Sequence, residues 1–372
     1  MKIGFDAKRA FNNHRGLGNY SRETLRILST LAPENQYYLF TPQIDASLGY
    51  TCSNATVIRP KNGASKLSQS LWRTFSIPKE VKHLRLDLYH GLSHELPWGI
   101  EKTKTRTVLT MHDLLFITHP ELFPAFDRWM YRKKYLHSCH IADQVIAVSE
   151  QTKRDLLKFT KLDEDKVEVV YQGCGPEFKK QASEQQRKDL REKHHLPETY
   201  LLNVAAIEPR KNQLLILKAL IAGKIDMPLV IAGRKTEYLK ELQRSITQLG
   251  LDRQVILLPD FPANELPALY QCATLFVFPS FYEGFGIPVI EALESGLPVI
   301  ASKGSCLEES GGPDSLYVSP HDETELANSL LQVLNDKTLQ EAMAVQGRRY
   351  AQRFSDEAIC QQLIRIYKNL IP

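Results

Sequence analysis

Two carboxylates with seven residues between them, Glu283 and Glu291, bracket the most chemically suggestive stretch of the chain. It reads Pro279-Ser280-Phe281-Tyr282-Glu283-Gly284-Phe285-Gly286-Ile287-Pro288-Val289-Ile290-Glu291. An apolar run ends at Pro279, two glycines follow, and Pro288 stands where proline opens a helix. Gly296 stands where glycine closes one. Glycine lets a backbone approach a ligand closely. The N–H groups of a helix start attract anions and hydroxyls. The two carboxylates then reach two hydroxyl-bearing parts of one ligand. A surface loop or a helix-dipole glutamate accounts for either carboxylate alone, but the whole constellation favours a ligand site.

Three more segments lie at strand ends. In Val204-Ala205-Ala206-Ile207-Glu208-Pro209-Arg210-Lys211-Asn212, the cations Arg210 and Lys211 sit at a helix start, where the dipole disfavours them. A diphosphate explains them better than solvation does. Thr110-Met111-His112-Asp113 places His112 at a strand's carboxyl end, facing the ligand side; a satisfied core histidine is the plain alternative. Arg15-Gly16-Leu17-Gly18-Asn19-Tyr20 follows the first strand and precedes a helix. A dinucleotide fingerprint needs a third glycine and an acid about 20 residues on. Ser21 stands at the first requirement, and Gln36–Phe40 ends without the second, so a dehydrogenase is disfavoured. Asp163-Glu164-Asp165 has the form of a metal–diphosphate ligand, but it precedes a strand and reads as a solvated turn.

Strand ends act together only if a sheet aligns them. Short apolar runs at Lys2–Asp6, Gln36–Phe40, Thr56–Arg59, Asp87–His90, Arg106–Met111, Gln144–Val148 and Lys166–Tyr171 alternate with amphipathic stretches. A second series runs Tyr200–Ile207, Pro228–Gly233, Gln254–Leu258, Leu275–Pro279, Pro298–Ser302 and Leu316–Val318. Continuous Val/Ile/Leu runs between helices mark parallel strands buried on both faces. The fold class is therefore α/β, with two doubly wound parallel-sheet domains facing a central cleft. Polar residues 177–198 read as a linker plus a helix. The expected divisions are 1–178, 196–355 and a last helix, 356–372, that crosses back to the first domain through Ile359, Leu363, Ile366 and Tyr367.

The 372 residues include 47 Lys+Arg and 43 Asp+Glu, a net charge of +4. Residues 1–180 carry 27 basic and 19 acidic residues; residues 181–372 carry 20 and 24. That asymmetry is too mild for a nucleic-acid binder and suits an anionic partner of the first half. Six scattered cysteines, at 52, 139, 174, 272, 306 and 360, form no CxxC and read as reduced core thiols. No apolar run reaches the roughly 18 residues of a membrane span. A cytoplasmic protein is expected, peripheral at most at the inner face of the membrane. Residues 126–135 interleave aromatics with four cations, as interfacial helices do; an ordinary half-buried helix explains them equally well.

These segments, in this order, resemble the family 4 glycosyltransferases of GT-B fold. The Glu283-Gly-Phe-Gly-x-Pro-x-x-Glu291 stretch is similar to that family's E-x7-E motif. Glu208-Pro209-Arg210-Lys211-Asn212, the Gly-Leu-Gly loop, Met-His-Asp, Val148-Ser149-Glu150, Val170-Tyr171-Gln172-Gly173, Val230-Ile231-Ala232-Gly233 and Phe354-Ser355 add to it. The nearest subgroup is mannosyltransferase-like, acting in O-antigen, capsule or exopolysaccharide assembly. The resemblance implies a retaining, metal-independent transfer of a hexose, mannose from GDP-mannose first, to a saccharide or polyprenyl-linked acceptor. It places Glu283 on the donor sugar with the backbone of Phe285, Gly286 and Ile287, Glu291 on the ribose, and Arg210 and Lys211 on the diphosphate. Gly16 and Gly18 would approach the diphosphate and acceptor, and His112 the transferred sugar. No cofactor or metal is implied beyond the nucleotide-sugar co-substrate. Departures include Ala205, where many members carry an arginine, and Asp356, where an aromatic is usual. Leu258 is followed by Pro259-Asp260-Phe261 instead of the common glycine, which makes Asp260 a candidate base reader. The alternatives are a UDP-hexose-dependent transferase, a nucleotide-sugar 2-epimerase or phosphorylase of the same fold, and a non-catalytic sugar-binding subunit. A phosphorylase would be a much longer chain.

Overall fold

A computed structural model describes residues 1–60 and 71–371. Residues 61–70, inside the first expected domain, and residue 372, at the end of the last expected segment, lie outside the described residues. Backbone contacts divide the chain into two compact units, residues 1–173 with 354–372, and residues 174–353.

Among the described residues the first unit holds seven strands: β1 (Lys2–Asp6), β2 (Gln36–Phe40), β3 (Ala55–Ile58), β4 (Leu88–Gly91), β5 (Arg106–Met111), β6 (Gln144–Ala147) and β7 (Val167–Val169). All pair in parallel, in the order β3-β2-β1-β4-β5-β6-β7. Ile3 lies beside Tyr37 on one flank and Leu88 on the other, so the sheet reverses its winding at β1 and β4. The second unit holds β8 (Leu201–Val204), β9 (Leu229–Gly233), β10 (Val255–Pro259), β11 (Leu275–Phe278), β12 (Val299–Ser302) and β13 (Leu316–Val318), in the order β10-β9-β8-β11-β12-β13. Its winding reverses between β8 and β11. Each expected strand run is a strand, with ends moved by up to three residues. The inner strands β4, β6, β8, β11 and β12 are buried along their whole length, which keeps their runs mostly apolar, whereas β3 is partly exposed.

Each sheet is covered by helices on both faces. In the first unit, Ile3, Phe5, Leu39 and Leu88 pack with the helix Gly16–Leu31 and with Ile359, Leu363, Ile366 and Tyr367 of the last helix, Asp356–Leu370. That last helix is capped by Ser355, and its Asp356 pairs with Arg26 at 2.7 Å. Asp356, which replaces the usual aromatic, is thus an anchor to the first unit. In the second unit the core combines Leu201, Ile231, Val277 and Ile300 with Ile216, Leu220 and Leu330 from flanking helices. The stretch expected as a linker plus a helix contains that helix, Glu184–His194, and it belongs to the second unit. Ser183 and Gln186 close its first turn as a capping box, and Leu190 is its buried contact. All six cysteines are unpaired, and five are buried.

Candidate functional site

In doubly wound sheets, ligands bind beyond the strand carboxyl ends where the winding reverses. In the second unit those ends belong to neighbours β8 and β11. The loop after β8 turns through Pro209–Lys211, and Asn212 takes a left-handed φ of 57° to start the helix Gln213–Ala222. Asn tolerates that conformation better than most residues. Its side chain donates to the Pro279 carbonyl at 3.0 Å and the Pro320 carbonyl at 2.8 Å, tying this loop to the one after β11. The Phe281 N–H donates to the Arg210 carbonyl at 3.0 Å from the other side.

Three of the predicted residues meet there. The Lys211 ammonium lies 2.5 Å from Glu283 Oε1, and Arg210 Nη1 lies 3.1 Å from Glu283 Oε2. Ser280 donates to the same Oε1 at 2.6 Å. Arg210 also pairs with Glu208 at 2.8 Å and donates to the Tyr282 carbonyl. Burial alone would raise the Glu283 carboxyl, but the charges of Lys211 and Arg210 prevail and bring it down to about 2. Burial, assisted by Arg210, lowers Lys211 against the pull of Glu283. The result is a water-poor cluster of two cations around one ionised carboxylate, in which each charge is partnered. An incoming diphosphate would meet both cations already oriented, and the carboxylate would be released to sugar hydroxyls.

The helix Ile287–Glu294 begins beside this cluster. Gly286 is its N-cap with φ 120°, and a Cβ there would lie 2.7 Å from Leu307 and from Ser310. Glycine is needed at 286 on both counts. Phe285 is buried, Ile287 is the first helical residue, and Glu291 lies one turn on. Glu291 accepts from the Tyr270 hydroxyl at 2.9 Å. Burial raises its carboxyl to about 7, against that hydrogen bond. Tyr270, from the helix Leu266–Cys272, carries no sequence signal for this role: it reads as one more core aromatic. Ser280 is equally silent. Asn212 is legible as a helix-starting residue.

Asp260 is held by a turn. At φ 54° it accepts from the Lys235 N–H at 3.0 Å and pairs with the Lys235 ammonium at 3.1 Å. Asp163, Glu164 and Asp165 precede β7 in a turn, with Glu164 largely exposed, as its reading as a solvated turn requires.

In the first unit, Gly16 and Gly18 depart from expectation. They do not form a loop; they build the first turn of the helix Gly16–Leu31, after a short helix, Lys8–Asn12. A Cβ at Gly18 would fall 1.8 Å from the Asn13 carbonyl oxygen, so its smallness serves the chain's own packing. Gly16 has open space around it. His112 is 6% exposed, so it is a buried ring and not an open one. Its Nε2 lies 3.0 Å from the Leu92 carbonyl, and its backbone N–H donates to His94 Nε2 at 3.0 Å. Tyr20 stands edge-on to its ring at 4.5 Å. Burial holds it neutral, with a pKa of about 3.

The helix Ala125–Ile141 exposes Phe126 and Trp129, stacked on each other, with Lys133 over the Trp129 ring. Among the described residues no helix is long and apolar enough to cross a membrane. No group of three or more His, Cys, Asp or Glu among them is placed to hold a metal ion.

Two family models match the chain: "Glycosyltransferase Family 4" over residues 16–178 and "Glycosyl transferases group 1" over residues 184–350. The chain is 28% identical, over the full length of both proteins, to the O-antigen chain mannosyltransferase B of Escherichia coli. It is 27% identical to the O-antigen chain mannosyltransferase RfbU of Salmonella typhimurium, over 83% of this chain and 84% of that one. Among solved structures, Anabaena HepE in complex with UDP-glucose superposes with a TM-score of 0.76 and 20% identity, over 99% of this chain and all of that one. This last likeness carries the two-sheet GT-B fold.

Proposed function

The chain belongs to the family 4 glycosyltransferases of GT-B fold, and on that premise we propose that it moves mannose from GDP-mannose to a saccharide or polyprenyl-linked acceptor in cell-surface polysaccharide synthesis. The relatives named as O-antigen mannosyltransferases support the sugar and the pathway class. The observation that carries the reading is the buried Arg210–Lys211–Glu283 cluster at the winding reversal of the second unit.

The second unit, the expected 196–355, is the donor domain, and the first, the expected 1–178, is the acceptor domain. As the sugar–phosphate bond breaks, negative charge grows on the departing diphosphate. Lys211 and Arg210 are preorganised to stabilise that charge, so the transfer needs no metal. Glu283 takes the sugar hydroxyls with the N–H groups of Phe285, Gly286 and Ile287, and Glu291 takes the ribose. Gly16, at the start of a long helix, is the acceptor-side contact, and Gly18 supports it by packing. His112 lines the sugar. Configuration is retained by a same-face step: as the bond from the anomeric carbon to the phosphate oxygen breaks, that phosphate oxygen takes the proton of the acceptor's hydroxyl, and the acceptor's oxygen bonds the anomeric carbon from the same face. The exposed Phe126 and Trp129 rest on the anionic inner face of the membrane.

Thermal shift with GDP-mannose, UDP-glucose, UDP-galactose and UDP-GlcNAc identifies the donor, because a bound ligand raises stability with its concentration over Kd. GDP-mannose is expected to give the largest shift; a larger UDP-sugar shift overturns the donor assignment. Lys211→Ala is expected to cut transfer about 10²–10³-fold while the protein stays folded. Transfer unaffected by EDTA, and no glycosyl-enzyme on Glu283 by intact mass, are the expected results for the metal-free same-face step. Binding to anionic vesicles is expected to fall on Phe126→Ala with Trp129→Ala; equal binding removes the membrane contact.

A further inference from the structure

Three histidines cluster in the core of the first unit, and two of them hold each other. His94 and Leu92 belong to the loop that follows β4, and His112 follows β5, its neighbour in the sheet. A carbonyl oxygen only accepts, so His112 Nε2, 3.0 Å from the Leu92 carbonyl, carries the ring proton. The backbone N–H of His112 points at His94 Nε2, so that nitrogen is bare. Burial keeps both rings neutral, near pKa 3 for His112 and 4 for His94. A protonated His94 would set N–H against N–H.

The clamp is itself held. His94 sits at φ 64°, a left-handed conformation that a side-chain-bearing residue keeps only where its surroundings enforce it. Its N–H donates to the Thr110 carbonyl at 3.0 Å, and its ring stacks on Tyr135 at 4.9 Å. On the other side of His112, Tyr20 is fixed by a buried chain of hydrogen bonds. Tyr20 meets Thr110 at 3.0 Å, Thr110 meets His90 at 2.8 Å, and His90 meets Tyr367 of the last helix at 2.7 Å. The Thr152 hydroxyl donates to the His112 carbonyl at 3.3 Å. Backbone N–H, backbone carbonyl and Nε2 of His112 are all engaged. Nδ1 has no partner among the described residues.

We propose that His94 is a positioning residue for His112: with the Leu92 carbonyl it fixes the ring so that Nδ1, a hydrogen-bond acceptor, is the atom offered to a substrate hydroxyl. This rests on the reading of His112 as lining the transferred sugar. The Leu92 carbonyl selects the tautomer and leaves Nδ1 bare, while His94 fixes the backbone from which the ring projects.

The test compares His94→Leu, His94→Gln and His112→Ala, reading turnover of GDP-mannose, or of whichever of the four donors is turned over, and the ring nitrogens of His112 by ¹⁵N NMR. The wild type should show His112 as a single neutral tautomer with its proton on Nε2. Glutamine reaches about as far as histidine Nε2 and offers an accepting oxygen. His94→Leu should lower kcat roughly 10- to 100-fold with donor KM within about twofold, and His94→Gln should restore kcat to within about threefold. His94→Leu should keep the His112 proton on Nε2, because the Leu92 carbonyl still selects it, but should shift and broaden the ring signals as the backbone loses its acceptor, and His94→Gln should restore them. A folded His94→Leu with wild-type kcat, or a wild-type His112 protonated on Nδ1, overturns the proposal. Full activity in His112→Ala instead overturns the reading of His112 as a sugar contact, and with it the clamp's service to the reaction. The shift and width of the His112 ring signals in the His94 variants separate that failure from failure of the clamp itself.

Discussion

Glu283 and Glu291 sit one loop and one helical turn apart, yet their surroundings drive them in opposite directions. Glu283 is ringed by Lys211, Arg210 and the Ser280 hydroxyl and stays ionised. Glu291 has a neutral tyrosine as its partner and rises from 4.5 to about 7. Carboxyls pushed apart in this way take different roles in one site. The stability consequence has a definite sign. A carboxyl with a raised folded-state pKa binds its proton more tightly in the folded state. Its contribution is fully present below about 4.5 and is lost as pH rises through 7. Glu291→Gln removes that titration while keeping an oxygen for Tyr270. The variant is expected to match the wild type near pH 4 and to exceed it by roughly 1–3 kcal/mol at pH 8, measured by denaturant unfolding. An unchanged difference between the two pH values would show that Glu291 is ionised at neutral pH. Glu283, lowered to about 2, works the other way: its contribution is present above 4.5 and is lost as pH falls toward 2.

At the scale of elements, glycines decide which helix starts are built and which are open. Gly18 faces the Asn13 carbonyl and Gly286 faces Leu307 and Ser310, whereas Gly16 faces nothing within 4 Å. Gly18→Ala is expected to lower stability by more than about 1 kcal/mol, because a Cβ cannot share space with backbone. Gly16→Ala should leave it unchanged or raise it by less than about 1 kcal/mol, since alanine is the better helix former. Thermal unfolding of the two variants side by side checks the contrast. A stable Gly18→Ala would mean that the short helix Lys8–Asn12 can move away. The Gly-Leu-Gly pattern was legible in the chain, but its reading as a loop was not correct. A glycine pair looks alike whether a ligand or the chain's own carbonyl approaches it.

At the scale of the molecule, the chain's end returns to its beginning. Ile359, Leu363, Ile366 and Tyr367 are buried among β1, β4 and the helix Gly16–Leu31. Burying a large apolar side chain is worth about 1.5–3 kcal/mol, so the four together supply roughly 6–12 kcal/mol. A domain's whole stability is about 5–15 kcal/mol. Deleting residues 354–372 is therefore expected to abolish cooperative unfolding of the first unit, read by proteolysis and calorimetry. A first unit that still melts cooperatively at its original temperature would show that the helix is dispensable.

What the chain by itself determined is local. Apolar runs marked the strands among the described residues, most plainly the inner ones, whose burial on both faces leaves few polar positions. Proline and glycine marked the loop and helix ends, and the strand ends marked where Arg210, Lys211, Glu283, Glu291 and His112 would lie. What only the tertiary structure decided is which of these meet. Lys211 and Glu283 are 72 residues apart and touch because β8 lies beside β11. His94 and His112 meet because β4 lies beside β5, and Tyr270 reaches Glu291 from a helix with no distinguishing pattern. Periodicity carries the face of an element and its ends; the order of strands in a sheet comes from packing, and that order sets each partner and each proton.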